Sequence, residues 1–141
     1  MNSTADHTSC TSIVQALHDG MDGLDLFHTS FEFCSDAFEQ GRDKDGHLQL
    51  TDLLQHLHEF AAFCDAIVQH SRERVQASSL VEMEAANQDF ETSLRDLLAG
   101  YETDDVIKVA DVLRLDFCNL MSRYRDLFPQ LARELEHGDD P

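Results

Sequence analysis

Two places in this 141-residue chain carry carboxylates or histidines at spacings that suit ligands. Residues 39–54 read EQGRDKDGHLQLTDLL, with Asp43 and Asp45 just before Gly46 and Asp52 after it. Carboxylates alternating around a glycine turn offer hard oxygen ligands of the kind that hold calcium. The second place is a pair of couples, His28 with Glu32 and His56 with Glu59. Three- and four-residue separations put each couple on one face of a helix. Imidazole beside carboxylate suits zinc, iron or manganese. A fold-back about residues 43–46 brings position 28 level with about 60, and 32 with about 56. The two couples are then expected to face one another.

The first stretch resembles the EF-hand calcium-binding family, over the single loop 41–52. With Gly46 as the loop's sharp-turn glycine, the resemblance puts Asp43 and Asp45 on ligand positions three and five. His47 would offer its carbonyl, Leu48 would be the buried apolar residue, and Asp52 would close the loop. The chain departs from the family at Gly41, which brings no side-chain oxygen to the first position, and at Asp52, where the longer Glu is usual. The same residues also read as plain structure. Gly41 ends helix one in the left-handed conformation. Asp45–Gly46 is a turn dipeptide, and Thr51 or Asp52 sits in the first turn of helix two. This reading predicts a helix ending near Gly41, a helix beginning between Leu48 and Asp52, and a loop without an ion. The spacing His28-x-x-x-Glu32 is similar to the hemerythrin-like family, and paired His/Glu helices to the ferritin-like family. The full ligand set those families imply is absent: helix three has no histidine, and helix four has only His137, after Glu134.

The bulk chemistry narrows the partners. Acidic residues number 28 against 10 basic ones, for a net charge of -18. Such a surface repels polyphosphate and anionic lipid, so neither nucleic acid nor a membrane is expected. Basic proteins and peptides are favoured. Cys10, Cys34, Cys64 and Cys118 form no CxxC pair. Cys34, Cys64 and Cys118 fall on the apolar stripes and read as small buried hydrophobes in a reducing, cytoplasmic setting. No signal peptide or membrane span is expected. No nucleophile elbow, phosphate loop or H-E-x-x-H motif occurs, so no catalytic residue and no cofactor is assigned.

The elements that would position these residues are long helices. Cys10, Leu17, Leu24, Phe31 and Phe38 keep a seven-residue rhythm on helix one. Helix two carries Leu50, Leu53, Leu57, Phe60, Cys64 and Ile67, out to about Val75. Helix three opens at a capping box, Ser79 with Glu82, and carries Leu80, Met83, Asn87, Phe90, Leu94 and Leu97. Asn87 on that stripe reads as a polar core residue that fixes register. Helix four opens near Thr103 or Asp104 and carries Val109, Leu113, Phe117, Leu120, Tyr124, Leu127 and Leu131. A kink or break is expected at Pro129.

The pattern predicts an all-α, elongated, antiparallel four-helix bundle in up-down-up-down order. Residues 10–137 would form the domain, between a flexible tail at 1–9 and a loose end at 138–141. The expected role is a non-catalytic protein-interaction module, an adaptor, chaperone-like protein or assembly subunit. Its partner would be a protein of basic character or a second copy of the chain. The competing readings are a metal protein using His28, Glu32, His56 and Glu59, and a calcium loop using Asp43, Asp45 and Asp52.

Overall fold

Apolar residues recurring every three or four positions can be buried together only along helices packed side by side. The computed structural model describes the backbone of residues 3–73 and 78–138, and the side chains of residues 12–73 and 78–137. Its elements are α1 (Ser3–Glu39), α2 (Asp43–Arg72), α3 (Ser78–Glu102), α4 (Val106–Asp111), a π-helical turn (Val112–Phe117) and α5 (Cys118–Gly138). The last three follow one another directly and form a fourth rod. The fold is an all-α helical bundle.

Each of α1 and α3 packs against both α2 and α5. Residue numbers at each seam rise on one helix as they fall on its neighbour. Cys34 meets Gly46 and Phe27 meets Phe60 across α1 and α2. Asn87 meets Asp65, and Tyr101 meets Thr51, across α2 and α3. Ser79 meets Glu134, and Asn87 meets Tyr124, across α3 and α5. The stripe residues fill the core: Phe31, Leu50, Leu57, Met83, Leu97, Leu113, Phe117 and Leu131 have no exposed surface. Phe60 is the aromatic hub, in contact with Phe27, Phe90, Tyr124 and Phe128. Aromatic pairs of this kind add roughly 0.5–1.5 kcal/mol each beyond their buried area.

Four details differ from the sequence expectation. Helix two begins at Asp43, not between Leu48 and Asp52. Gly41, at φ 76°, reverses the chain so tightly that three residues suffice. Asp43 and Asp45 then occupy the first turn, where the helix dipole favours carboxylates. Ser79 makes no capping box with Glu82; its hydroxyl donates to Glu134 Oε2 at 2.9 Å, on the far rod. The cap of α4 is Asp105, which accepts from the Lys108 amide at 3.1 Å, instead of Thr103 or Asp104. Finally, α5 runs through Pro129 to Gly138 without a break. Burial of Leu131, Ala132 and Leu135 holds the turns beyond the missing donor. The departure from α geometry comes earlier, in the π turn.

Helix α1 is described from Ser3, inside the segment that the sequence reads as a tail. Residues 1, 2 and 139–141, and Val75 as the expected end of helix two, lie outside the described residues. Among the described residues, no helix is long and apolar enough to cross a membrane.

Candidate functional site: the groove between α1 and α2

The calcium candidates are spread along one helix. Asp43 and Asp45 sit in the first turn of α2, and Asp45 pairs with Arg42 at 3.4 Å. Asp52 lies nine residues beyond Asp43, about 13.5 Å along the axis, and pairs with His56 at 3.5 Å. Leu48, expected to be buried, is 66% exposed. Gly46 serves packing. A Cβ there would lie 2.8 Å from the Phe38 ring. His47 stacks edge-on between Phe38 and Tyr101, and its Nε2 lies 3.4 Å from Asp104. Asp104 itself holds a left-handed φ of 55°. The stretch therefore closes one end of the bundle, against the turn between α3 and α4.

The two His/Glu couples exist, but on different seams. His28 Nε2 lies 3.1 Å from Glu32, and its ring turns toward Cys118 of α5. His56 lies between Asp52 and Glu59 on the opposite flank of α1, where α2 runs. Among the described residues, no three His, Cys, Asp or Glu side chains gather as a metal site.

A groove does open along the α1–α2 seam. Two hollows of about 430 and 310 Å³ meet at Gly23 and Phe60. The floor is apolar, made by Phe27, Leu53, Phe60 and Phe63. Leu26 stands on one wall, 72% exposed. The reason lies in two glycines of α1. At Gly20 a Cβ would press on Phe128 at 3.0 Å and Phe63 at 3.3 Å, so the missing side chain lets the helices approach. At Gly23 nothing lies within 4 Å of the Cβ position, so the missing side chain leaves open space. The charged lining is acidic, with Asp19 at one end and Asp52 and Glu59 at the other. His56 sits between those two carboxylates.

A second cleft of about 320 Å³ lies between α2, α3 and α5. Its floor holds a polar chain. Tyr124 donates to Asn87 Oδ1 at 2.7 Å, and Asn87 donates to Asp65 Oδ1 at 3.3 Å. Burial raises the Tyr124 phenol well above its ordinary value, and the neighbouring Cys64 adds to this. Burial likewise raises the Cys64 thiol. Both groups stay protonated and neutral near neutral pH. Asn87 is half-buried here, engaged with both neighbouring rods.

Sequence reasoning does not tell the close contact at Gly20 from the open space at Gly23. It missed Cys118 as the neighbour of His28. No local pattern links residues 90 positions apart. Asp116 is exposed on the π turn.

Protein-family models, curated proteins and solved structures give no match to this chain.

Proposed function

We propose that this chain is a non-catalytic interaction module, and that the α1–α2 groove receives an amphipathic helix of a basic partner protein. One observation carries the reading: an exposed Leu26 beside an open Gly23, over a floor of phenylalanines. Exposed apolar surface of this kind mostly marks contact sites. A groove between two helices is the shape that a third helix fills. From Ala16 to Ser30 it runs about 21 Å, or four helical turns.

Charge supports the choice of occupant. Asp19, Asp52 and Glu59 border the groove, within a chain of net charge -18. A second copy would bring the same charge to the interface, whereas a basic helix neutralises it. The buried thiols Cys34 and Cys64 suit a reducing cytoplasm, which is part of the proposal.

Substitution Leu26→Asp tests the reading. Leu26 is outside the core, so the fold should keep its stability. Capture from the native host with both forms should return one basic protein with the wild type and lose it with the variant. Equal capture by both forms would contradict the groove, and a wild-type homodimer in sedimentation would favour self-association.

A further inference from the structure

Helix α1 carries a second arrangement, on the flank that faces α5. His28 and Glu32 stand one turn apart there, with Glu32 Oε1 at 3.1 Å from His28 Nε2. An ionised carboxylate only accepts, so Nε2 carries the ring proton. The lone pair of Nδ1 then faces the Sγ of Cys118 at 3.9 Å. A thiol, a base within reach of it, and a third group that orients the base make the arrangement that activates a nucleophile. Cys118 is the residue that follows the π turn Val112–Phe117. The extra residue in such a turn rotates everything after it by about 100°, and π turns often mark functional positions.

We propose that Cys118 is a thiol–disulfide exchange site, with His28 as its base and a small cationic or neutral disulfide as co-substrate. The proposal is independent of the groove.

The other described cysteines have no such access. Cys34 and Cys64 are 0% and 1% exposed, while Cys118 is half-buried at the seam. The charged groups around Cys118 are Glu32 and His28 from α1 and Arg114 from the π turn. Arg114 is itself held by Asp36 and Glu39 of α1. Burial raises the Cys118 thiol above its ordinary value, Glu32 adds to this, and Arg114 opposes it. The resting group is therefore the thiol, and exchange needs a base. A thiolate of higher pKa is also the stronger nucleophile once formed.

In the step itself, the S–H proton passes to His28 Nδ1 as the sulfur attacks one sulfur of the disulfide. A new S–S bond joins Cys118 to that half. The old S–S bond breaks, and the leaving thiolate takes the electron pair and then the proton from His28. Cys118 is oxidised to a mixed disulfide, and the other half of the co-substrate is reduced to a thiol. The chain's charge of -18, with Glu32, Asp36 and Glu39 close by, selects against an anionic disulfide.

The test uses cystamine as the cationic probe and oxidised glutathione as the anionic one. Adducts are located by peptide mass mapping, and rates are followed from about pH 5 to 9 across the ordinary histidine range. The expected adduct is on Cys118. Cystamine should react faster than oxidised glutathione, and salt should narrow the gap. His28→Gln should slow the reaction at neutral pH by at least about tenfold and move its rise to the ionisation of the thiol. Glu32→Gln weakens the acceptor that orients the ring and should slow the reaction as well. Both residues are exposed, so both variants should fold, which circular dichroism checks. An unchanged rate and pH profile in His28→Gln, or an adduct mainly on another cysteine, would overturn the proposal.

Discussion

The hydroxyl of Tyr124 donates a 2.7 Å hydrogen bond to Oδ1 of Asn87, joining α5 to α3. Asn87 passes the chain on to Asp65 of α2, so one amide side chain touches three rods. Losing a part-buried hydrogen bond between neutral groups costs about 0.5–1.5 kcal/mol. Tyr124→Phe should therefore lower stability by that amount in urea denaturation. Asn87→Leu strands the phenol instead and should cost a similar amount. The double variant should cost less than the two single changes added together. Strict additivity would show that the bond does not couple the helices.

Alkaline pH should destabilise the fold through its buried acids. Burial pushes the Cys34 thiol from an ordinary 9.0 up to about 12, and raises Cys64 and Tyr124 as well. Above pH 9 the unfolded chain releases these protons while the folded chain keeps them. The unfolded state then binds fewer protons, so stability falls as pH rises. For Cys34 the loss runs from about pH 9 to about 12. It amounts to at most about 1.4 kcal/mol per pH unit for each group. Thermal melts across this range should show the decline, and Cys34→Ala should make it shallower from a lower starting stability.

Gly46 and Gly23 should respond oppositely to alanine. Alanine is the better helix former by about 1 kcal/mol. At Gly46 the new Cβ would stand 2.8 Å from the Phe38 ring, and overpacking costs about 1–3 kcal/mol. Gly46→Ala should therefore lower the melting temperature, because Phe38 is buried and has little room to move. Gly23→Ala meets nothing within 4 Å and should raise it. Equal responses would contradict the packing at the α1–α2 hairpin.

Asp105 should matter more than its neighbours to the start of α4. Its carboxylate holds the Lys108 amide at 3.1 Å, and loss of such a cap costs roughly 1 kcal/mol. Asp105→Ala should show that loss in denaturant titration. Thr103→Ala should show less, since that hydroxyl bonds back to Ala99 of α3.

The stripes made the helices legible, because period and burial are the same fact seen twice. Leu50, Leu57, Met83, Leu97 and Leu113 are where the rhythm places them, without exposed surface. What stayed illegible depends on contacts between distant segments. Ser79 looked like a local cap, but its partner Glu134 lies on another rod. Gly46 looked like a turn glycine, yet its role is the close approach of Phe38. The His/Glu couples were legible as couples. Which seam each faces depends on the rotation of α1 about its own axis, which spacing does not settle. The groove was not legible: Gly20 and Gly23 look alike in the sequence, and space or contact is decided by the neighbour.

The groove is tested most directly with a synthetic four-turn helix, leucine and phenylalanine on one face and lysine and arginine on the other. Its binding is followed by fluorescence anisotropy against the wild type and Gly23→Leu, whose new side chain occupies the hollow. Saturable binding to the wild type is expected at physiological salt, weakened at least about tenfold in the variant, or ~1.4 kcal/mol. Equal affinity for the two proteins, or no binding to the wild type, would contradict it.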